Sequence, residues 1–162
     1  MSTKFELQLT DTHKENLLKL ARYLWDLPED YTHFDMEYYF AQGNSTANGV
    51  LSAYNDGYEG CGTVACALGH GPAAGIGNGD DLDGLTWDRY SKVFFGARVY
   101  EPVWEWCFES RWAEEDNTPR GAAKRIFYML ENGVPKTFEP SATKLGTLDM
   151  YDPGIYTDQK RL

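Results

Sequence analysis

The chain has 162 residues, of which 42% are hydrophobic and 15% aromatic, and its formal net charge is −10 at pH 7. This size and apolar content predict one globular domain that buries its own core without disulfides or metals. The acidic charge argues against direct binding to nucleic acids or to anionic membranes, because their phosphate groups would be repelled.

The cysteine count and the hydropathy pattern indicate where the protein works. Three cysteines are an odd number, and the chain does not begin with a charged and then apolar leader, which argues against a secreted disulfide scaffold. No apolar run approaches the ~18 residues of a membrane span. The sequence therefore predicts a cytoplasmic protein without a membrane partner.

The chain opens with an alternation of apolar and polar residues around Phe5 and Leu9, which predicts a small N-terminal β element. An amphipathic helix is predicted over residues 12–26, with Thr12 and Glu15 as its capping box. The histidine in its first turn, His13, is expected to be solvated.

Two less regular segments follow. Residues 31–40 are rich in aromatic side chains, and their pattern fits either a short helix or an irregular packed stretch. Asp35 is a candidate cap for a turn that begins at Met36. Residues 42–48 consist largely of Gly, Asn, Ser and Thr, which predicts a surface loop.

The centre of the chain is residues 59–71, a run rich in glycine and alanine. Its apolar residues fall on one face of a helical projection, which predicts a buried central helix. The start of such a helix presents unpaired backbone N–H groups and the positive end of the helix dipole, a combination that binds anions. The residues predicted to form this anion cradle are Gly60, Cys61, Gly62 and Thr63. The competing interpretation is that the small residues only permit tight packing.

Residues 61–70 resemble a motif of small uncharacterised proteins from bacteriophages and bacterial genomes. In that group a Cys-Gly-Thr-x-x-Cys-x-x-Gly pattern starts a helix, and a helix that begins with Thr-Pro and ends with Gly lies near the C-terminus. The resemblance covers residues 12–134 and implies a phage-type origin, without implying a particular chemistry. The insert at residues 43–59 and the tail after Val134 depart from the pattern.

Three helical segments are predicted in the second half of the chain. Thr86 caps a helix over residues 87–95, and residues 101–111 form one or two buried turns. The last helix has Thr118 as its cap, Pro119 at its first position and Gly133 at its end. The residues expected in the core are Tyr90, Val93, Phe94, Val103, Trp104, Trp106, Cys107, Phe108, Ala122, Ala123, Ile126, Phe127, Met129 and Leu130.

Basic side chains are predicted to supply charge for an anionic ligand. The exposed side of the last helix is expected to be locally basic, and a further arginine lies on the helix before it. Tryptophan or tyrosine rings would stack on a base. The candidate ligand-binding cations are Arg89, Arg120, Lys124 and Arg125.

Catalytic and metal-binding interpretations rest on Cys66 and His70, which lie four residues apart. Such a pair fits a thiol hydrolase, but the sequence identifies no Asp or Asn to orient the imidazole ring. Zinc would need a third ligand, and Cys61 lies about 140° from Cys66 around an ideal helix. Residues 75–84 offer aspartates to Ca²⁺ but lack the EF-hand spacing, so a solvated loop is favoured. No metal or cofactor is predicted.

These patterns predict a mainly α protein, with α+β as the alternative if a small N-terminal or edge β element forms. A compact single domain, residues 1–136, is arranged around the central small-residue helix, and residues 137–162 form an extended tail that packs on the domain or on a partner. A homo-oligomer is left open, because surplus aromatic residues suit a dimer interface as well as a ligand groove.

The predicted function is that of a non-enzymatic phage-type binding protein in the host cytoplasm, which captures a small anionic, nucleotide-like signal of host defence. The first alternative is an acidic interaction protein that docks on a host protein. The second alternative is a thiol hydrolase built on Cys66 and His70.

Overall fold

A computed structural model describes residues 4–5, 8–38, 41–42, 45–46, 63–114, 116–135 and 151–157. The fold is mainly α, as predicted from the sequence. The helices are α1 (Asp11–Trp25), α2 (Gly79–Leu82), α3 (Trp87–Phe95), α4 (Pro102–Phe108), α5 (Pro119–Asn132) and α6 (Gly154–Thr157), with 3₁₀ turns at Leu68–His70 and Ser110–Glu114. The strands are β1 (Lys4–Phe5), β2 (Ala41–Gln42), β3 (Ser45–Thr46), β4 (Thr63–Val64) and β5 (Val134–Pro135).

Two small antiparallel ladders accompany the helices. β1 pairs with β5, which confirms the predicted N-terminal β element, and β2 lies between β3 and β4. The first ladder joins the beginning of the chain to the residues that follow α5. Each strand has two residues, so the ladders link chain segments and the helices supply the core.

The N-cap of α1 lies two residues before the predicted one. The N-cap is Thr10, whose hydroxyl accepts a hydrogen bond from the backbone N–H of His13 at 3.1 Å. The His13 ring completes the capping box by accepting from the Thr10 N–H at 3.3 Å, and its Nε2 donates to the carbonyl of Val93 at 3.2 Å. The predicted capping box of Thr12 and Glu15 is therefore wrong, as is the prediction that His13 is merely solvated.

The core lies between α1, α3, α4 and α5, with its main interface between α1 and α5. The buried stripe of α1 recurs every three or four residues, which is the period of one helix face. It consists of Leu17, Leu20, Ala21 and Leu24. At the end of α1, the ring of Trp25 meets Phe127 of α5 edge-on, with ring centroids 6.2 Å apart. The Trp-rich helix α4 packs on the other side of α5.

The predicted ends of α3 and α5 are confirmed. The hydroxyl of Thr86 accepts from the third N–H of α3, and Gly96 closes the helix in the left-handed region at φ 65°. Thr118 and Pro119 begin α5, and Gly133 follows its last residue. One core prediction is wrong, because Val93 is 49% exposed.

The predicted central helix is wrong over its described part. Thr63 and Val64 form β4, and only Leu68–His70 takes a helical turn, of the 3₁₀ kind. The first residues of this part bond to residues 33–38: the Ala65 N–H donates to the His33 carbonyl at 2.9 Å, and the Cys66 N–H donates to the Tyr38 carbonyl at 2.6 Å. Local helical bonds follow, because the Cys66 carbonyl accepts from the His70 N–H at 3.1 Å. Bonds to a distant segment therefore outweigh the helical period of the small residues.

Close packing in this stretch is concentrated at Gly71. A Cβ on this residue would overlap the hydroxyl of the fully buried Tyr90 and would lie 2.8 Å from its Cε1. That hydroxyl donates to the Ile76 carbonyl at 2.7 Å, so the ring is not free to move aside. Gly71 therefore permits the close approach of this stretch to α3.

Gly71→Ala is expected to lower the free energy of unfolding by about 2 kcal/mol, because the added methyl overpacks a well-filled core. Urea unfolding of the variant would measure the loss. In a Tyr90→Leu background the same substitution should cost much less, since the ring it strikes is gone. An unchanged free energy of unfolding in Gly71→Ala would contradict the tight contact.

The described part of the tail, residues 151–157, lies on the helices. The ring of Tyr156 stacks on Phe127 at 5.2 Å, and its carbonyl accepts from Nε of Arg22 at 3.1 Å. The hydroxyl of Tyr151 donates to Glu131 at 2.6 Å. Since Gly154–Thr157 forms a helical turn, this part of the tail is not extended throughout.

Candidate functional site

A groove of about 270 Å³ lies between the segment that follows α1 and the start of α5. We call it the α5 groove. It is lined by Leu27, Pro28, Glu29, Tyr31, Phe34, Asn117, Thr118, Pro119 and Arg120. One wall is therefore largely apolar and aromatic, and the other is the N-terminal end of a fourteen-residue helix.

The two walls are joined by the side chain of Asn117. Its amide oxygen accepts from the backbone N–H of Met36 at 2.7 Å, and its amide nitrogen donates to the carboxylate of Asp35 at 3.2 Å. The same carboxylate accepts from the Glu37 N–H at 3.0 Å, so Asp35 forms the predicted turn at Met36. Because these bonds connect segments far apart in the chain, they fix the distance between the walls.

Arg120 supplies the positive charge of the α5 groove. It is the second residue of α5, and its guanidinium lies over the ring of Trp25, 4.6 Å from the centroid. The dipole of α5 adds partial positive charge at the same end. Two carboxylates oppose it: Glu29 lines the groove, and Asp116 accepts from the Thr118 hydroxyl at 2.6 Å. The groove thus presents a cation at one end without being uniformly basic.

Tyr31 forms the aromatic wall, and a buried histidine holds it in place. The Tyr31 hydroxyl lies 2.9 Å from Nε2 of His70, and Nδ1 of His70 lies 2.8 Å from the carbonyl of Cys66. Since a carbonyl only accepts, Nδ1 carries the proton and Nε2 accepts from Tyr31. His70 is fully buried, and burial lowers its pKa from 6.5 to about 4. It is therefore a neutral residue that positions Tyr31.

Cys66 does not have the environment of a reactive thiol. It is buried, and loss of hydration raises the pKa of its thiol to about 12. Its sulfur accepts from the Gly69 N–H at 3.4 Å, while the His70 ring bonds to the Cys66 carbonyl. A thiol hydrolase needs a thiolate beside a charged or basic imidazole, and this geometry supplies neither.

The predicted ligand-binding cations are dispersed. Arg120 lies at the α5 groove, Lys124 lies one turn further along α5, and Arg89 is exposed on α3. Arg125 is 1% exposed, so its assignment to an exposed basic face is wrong. Position 125 lies three residues after Ala122 and therefore on the buried side of α5.

Arg125 is held among aromatic and backbone groups. Its Nη1 donates to the Asp116 carbonyl at 3.2 Å, and its guanidinium lies 4.4 Å from the ring centroid of Trp112. Its Nε and Nη2 are buried and have no hydrogen-bond partner in the described part of the chain. Burial lowers the pKa of Arg125 from 12.5 to about 10.

The predicted anion cradle is only partly described. Gly60, Cys61 and Gly62 lie outside the described residues. Thr63 belongs to β4, so the helix start that would have aimed its N–H at an anion is not present there. The α5 groove combines a helix start with an arginine at another place in the chain.

The aspartate-rich loop at residues 75–84 contains the short helix α2. Asn78 caps it by accepting from the Asp81 N–H at 3.1 Å, and the Asp81 carboxylate accepts from the Asn78 N–H at 3.4 Å. Across the described residues, no group of three or more His, Cys, Asp or Glu side chains is arranged to hold a metal ion. Within the same ranges, every helix is too short or too polar to cross a lipid bilayer.

The chain matches no protein-family model, no curated protein and no solved structure. The resemblance of residues 61–70 to the phage group stays a prediction.

The residues of the α5 groove were only partly predicted from the sequence. Arg120 was a candidate ligand-binding residue, whereas Glu29, Tyr31 and Asn117 were not. The aromatic richness of residues 31–40 was the one sequence feature that pointed to this wall.

Proposed function

We propose that the protein is a non-enzymatic binding protein whose α5 groove takes a small anionic, nucleotide-like ligand. The observation that carries the proposal is the combination, in one groove, of Arg120 at a helix start with the ring of Tyr31. An anionic group would bind to Arg120 at the start of α5, and a flat ring would lie against Tyr31.

Arg120 suits a phosphate because it is already oriented. Its planar guanidinium donates two parallel hydrogen bonds to phosphate oxygens, which a lysine does not. The contact with Trp25 restricts the rotamers of the arginine before any ligand arrives. Less conformational entropy is then lost on binding.

The groove also favours a ligand that carries hydrogen-bond donors besides its negative charge. Glu29 repels a bare anion but accepts hydrogen bonds from the amino group of a base or from ribose hydroxyls. A volume of about 270 Å³ lies just below the usual range of small-molecule sites, so only a small ligand would fit. These features support a ligand of mononucleotide size over inorganic phosphate or a long polyanion.

The source of the ligand stays a prediction. Capture of a host-defence signal in a host cytoplasm rests on the resemblance to the phage group and on the acidic composition. An acidic surface that docks on a host protein remains the alternative.

Arg120→Gln is expected to weaken binding of the best nucleotide about tenfold, because one charge-assisted bidentate contact is lost. Affinity would be measured by isothermal titration calorimetry, with the linear and cyclic mononucleotides that stabilise the protein in a thermal-shift screen. Arg89→Gln is the matched control, since it removes the same charge from an exposed position on α3. Its affinity should equal that of the unmodified protein.

Glu29→Gln separates nucleotide recognition from simple anion binding. The variant should bind inorganic phosphate more tightly, because the Glu29 carboxylate no longer repels the anion. It should not bind the nucleotide more tightly, because the glutamine amide is a weaker hydrogen-bond acceptor than the carboxylate. Absence of stabilisation by every nucleotide would refute the proposed function. Equal losses of nucleotide affinity in Arg120→Gln and Arg89→Gln would show that the α5 groove is not the binding site.

A further inference from the structure

A second cavity, of about 190 Å³, lies where the turn after Asp35 meets α4. We call it the α4 cavity. It is lined by Met36, Glu37, Trp104, Phe108 and Ser110. Three of these side chains are apolar and almost fully buried, so they form rigid walls, whereas the carboxylate of Glu37 is exposed.

Exposed aromatic residues flank the α4 cavity. Among the described residues, the large hydrophobic side chains that are exposed are Tyr38, Val93 and Tyr100, and the first of them directly follows Glu37. Tyr100 is 78% exposed, and its ring meets Trp104 edge-on at 5.4 Å. Tyr100 therefore contacts a residue that lines the cavity, and Tyr38 is the chain neighbour of another.

Tyr100 also holds an unfavourable backbone conformation. Its φ is 67°, in the left-handed region that aromatic residues seldom adopt. An exposed ring gains little from burial, so packing within the chain does not account for a tyrosine here. Strain of this kind clusters at functional sites, where the surrounding structure holds it in place.

Negative charge is distributed around the same cavity. Glu37 lines it, and Glu101 is the N-cap of α4, three residues before Trp104. At the other end, Glu109 accepts from the hydroxyl of Ser110 at 3.2 Å and lies 3.6 Å from Arg111. The carboxylates of Glu37 and Glu101 form no ion pair within the described part of the chain.

We propose that the α4 cavity receives an arginine side chain from a basic segment of a partner protein. The aliphatic stem of the arginine would lie along Trp104 and Phe108, and its guanidinium would pair with Glu37. The exposed ring of Tyr100 offers a face on which a guanidinium stacks. The net charge of −10 steers a basic partner toward the protein and repels acidic ones.

The α4 cavity and the α5 groove are lined by different residues, although the turn after Asp35 bonds to Asn117 of the groove. The α5 groove offers a cation to a small anion, whereas the α4 cavity offers carboxylates and rings to a cation. The two sites use different residues, so a failure of one leaves the other testable.

The test is fluorescence anisotropy with a labelled oligo-arginine peptide and with an oligo-citrulline peptide of the same length. Citrulline keeps the shape of arginine and removes its charge. The arginine peptide is expected to bind saturably and the citrulline peptide at least about tenfold more weakly. Glu37→Gln should weaken binding of the arginine peptide several-fold.

Two further variants keep the test specific. Tyr100→Gly should also weaken peptide binding, while its unfolding midpoint does not fall, because glycine relieves the positive φ. Glu15→Gln is the charge control, since it removes an exposed carboxylate from α1 and should leave binding unchanged. The proposal would be overturned if the arginine peptide did not bind saturably. It would also be overturned if Glu37→Gln and Glu15→Gln lost the same affinity for that peptide.

Discussion

Replacement of Arg125 by methionine is expected to leave the protein at least as stable as it is with the arginine. The charged guanidinium is fully buried, and two of its nitrogens have no partner among the described residues. Its pKa of about 10 in the folded state, against 12.5 in an unperturbed chain, corresponds to about 3 kcal/mol of unfavourable burial. Methionine fills a similar volume and carries no charge to desolvate.

Arg125→Ala should behave differently. Alanine leaves a void beside Trp112, so we expect a free energy of unfolding about 3 kcal/mol below that of Arg125→Met. Urea unfolding of the three proteins would measure both differences. If Arg125→Met were as unstable as Arg125→Ala, the charge itself would be stabilising, through Asp116 and Trp112, and the expectation would fail.

Acid should destabilise the protein through His70. The folded-state pKa is about 4 and the unperturbed value is 6.5, so the unfolded chain binds more protons in this interval. The contribution of neutral His70 to the free energy of unfolding is fully present above pH 6.5 and is lost progressively as the pH falls to about 4. The loss amounts to about 3 kcal/mol at the lower limit.

The measurement is the free energy of unfolding between pH 7 and pH 4, in the unmodified protein and in His70→Gln. Glutamine does not titrate, so the variant lacks this part of the acid sensitivity and retains that of the carboxylates. The stability difference between the two proteins should shrink as the pH falls. A constant difference across the range would mean that His70 titrates alike in both states.

Local signals predicted the ends of helices well. At α5, Thr118, Pro119 and Gly133 each act within one helical turn, so no distant contact is needed to interpret them. The start of α1 was misplaced because a histidine closes its capping box where Glu or Gln is usual. The burial of Arg125 was indicated by its spacing from Ala122 and Met129, but the usual exposure of arginine outweighed it.

Contacts between distant segments were not predictable from local patterns. Residues 61–68 have a helical period in sequence, but the backbone of residues 63–66 bonds in part to residues 33–42. The α5 groove brings Tyr31 beside Arg120, and its walls are joined through Asn117. No periodicity or spacing in one segment identifies its partner in another, so the site was found only in the folded chain.

The pairing of α1 with α5 also bears on how the chain folds. These helices form the main core interface, yet the whole middle of the chain separates them. Closing so long a loop costs entropy before any packing compensates for it, so folding should be slow for a mainly helical protein. During synthesis, the leucines of α1 emerge long before the helix that covers them. The nascent chain therefore exposes an apolar helix face for most of its translation, and its yield depends on how well that face is protected.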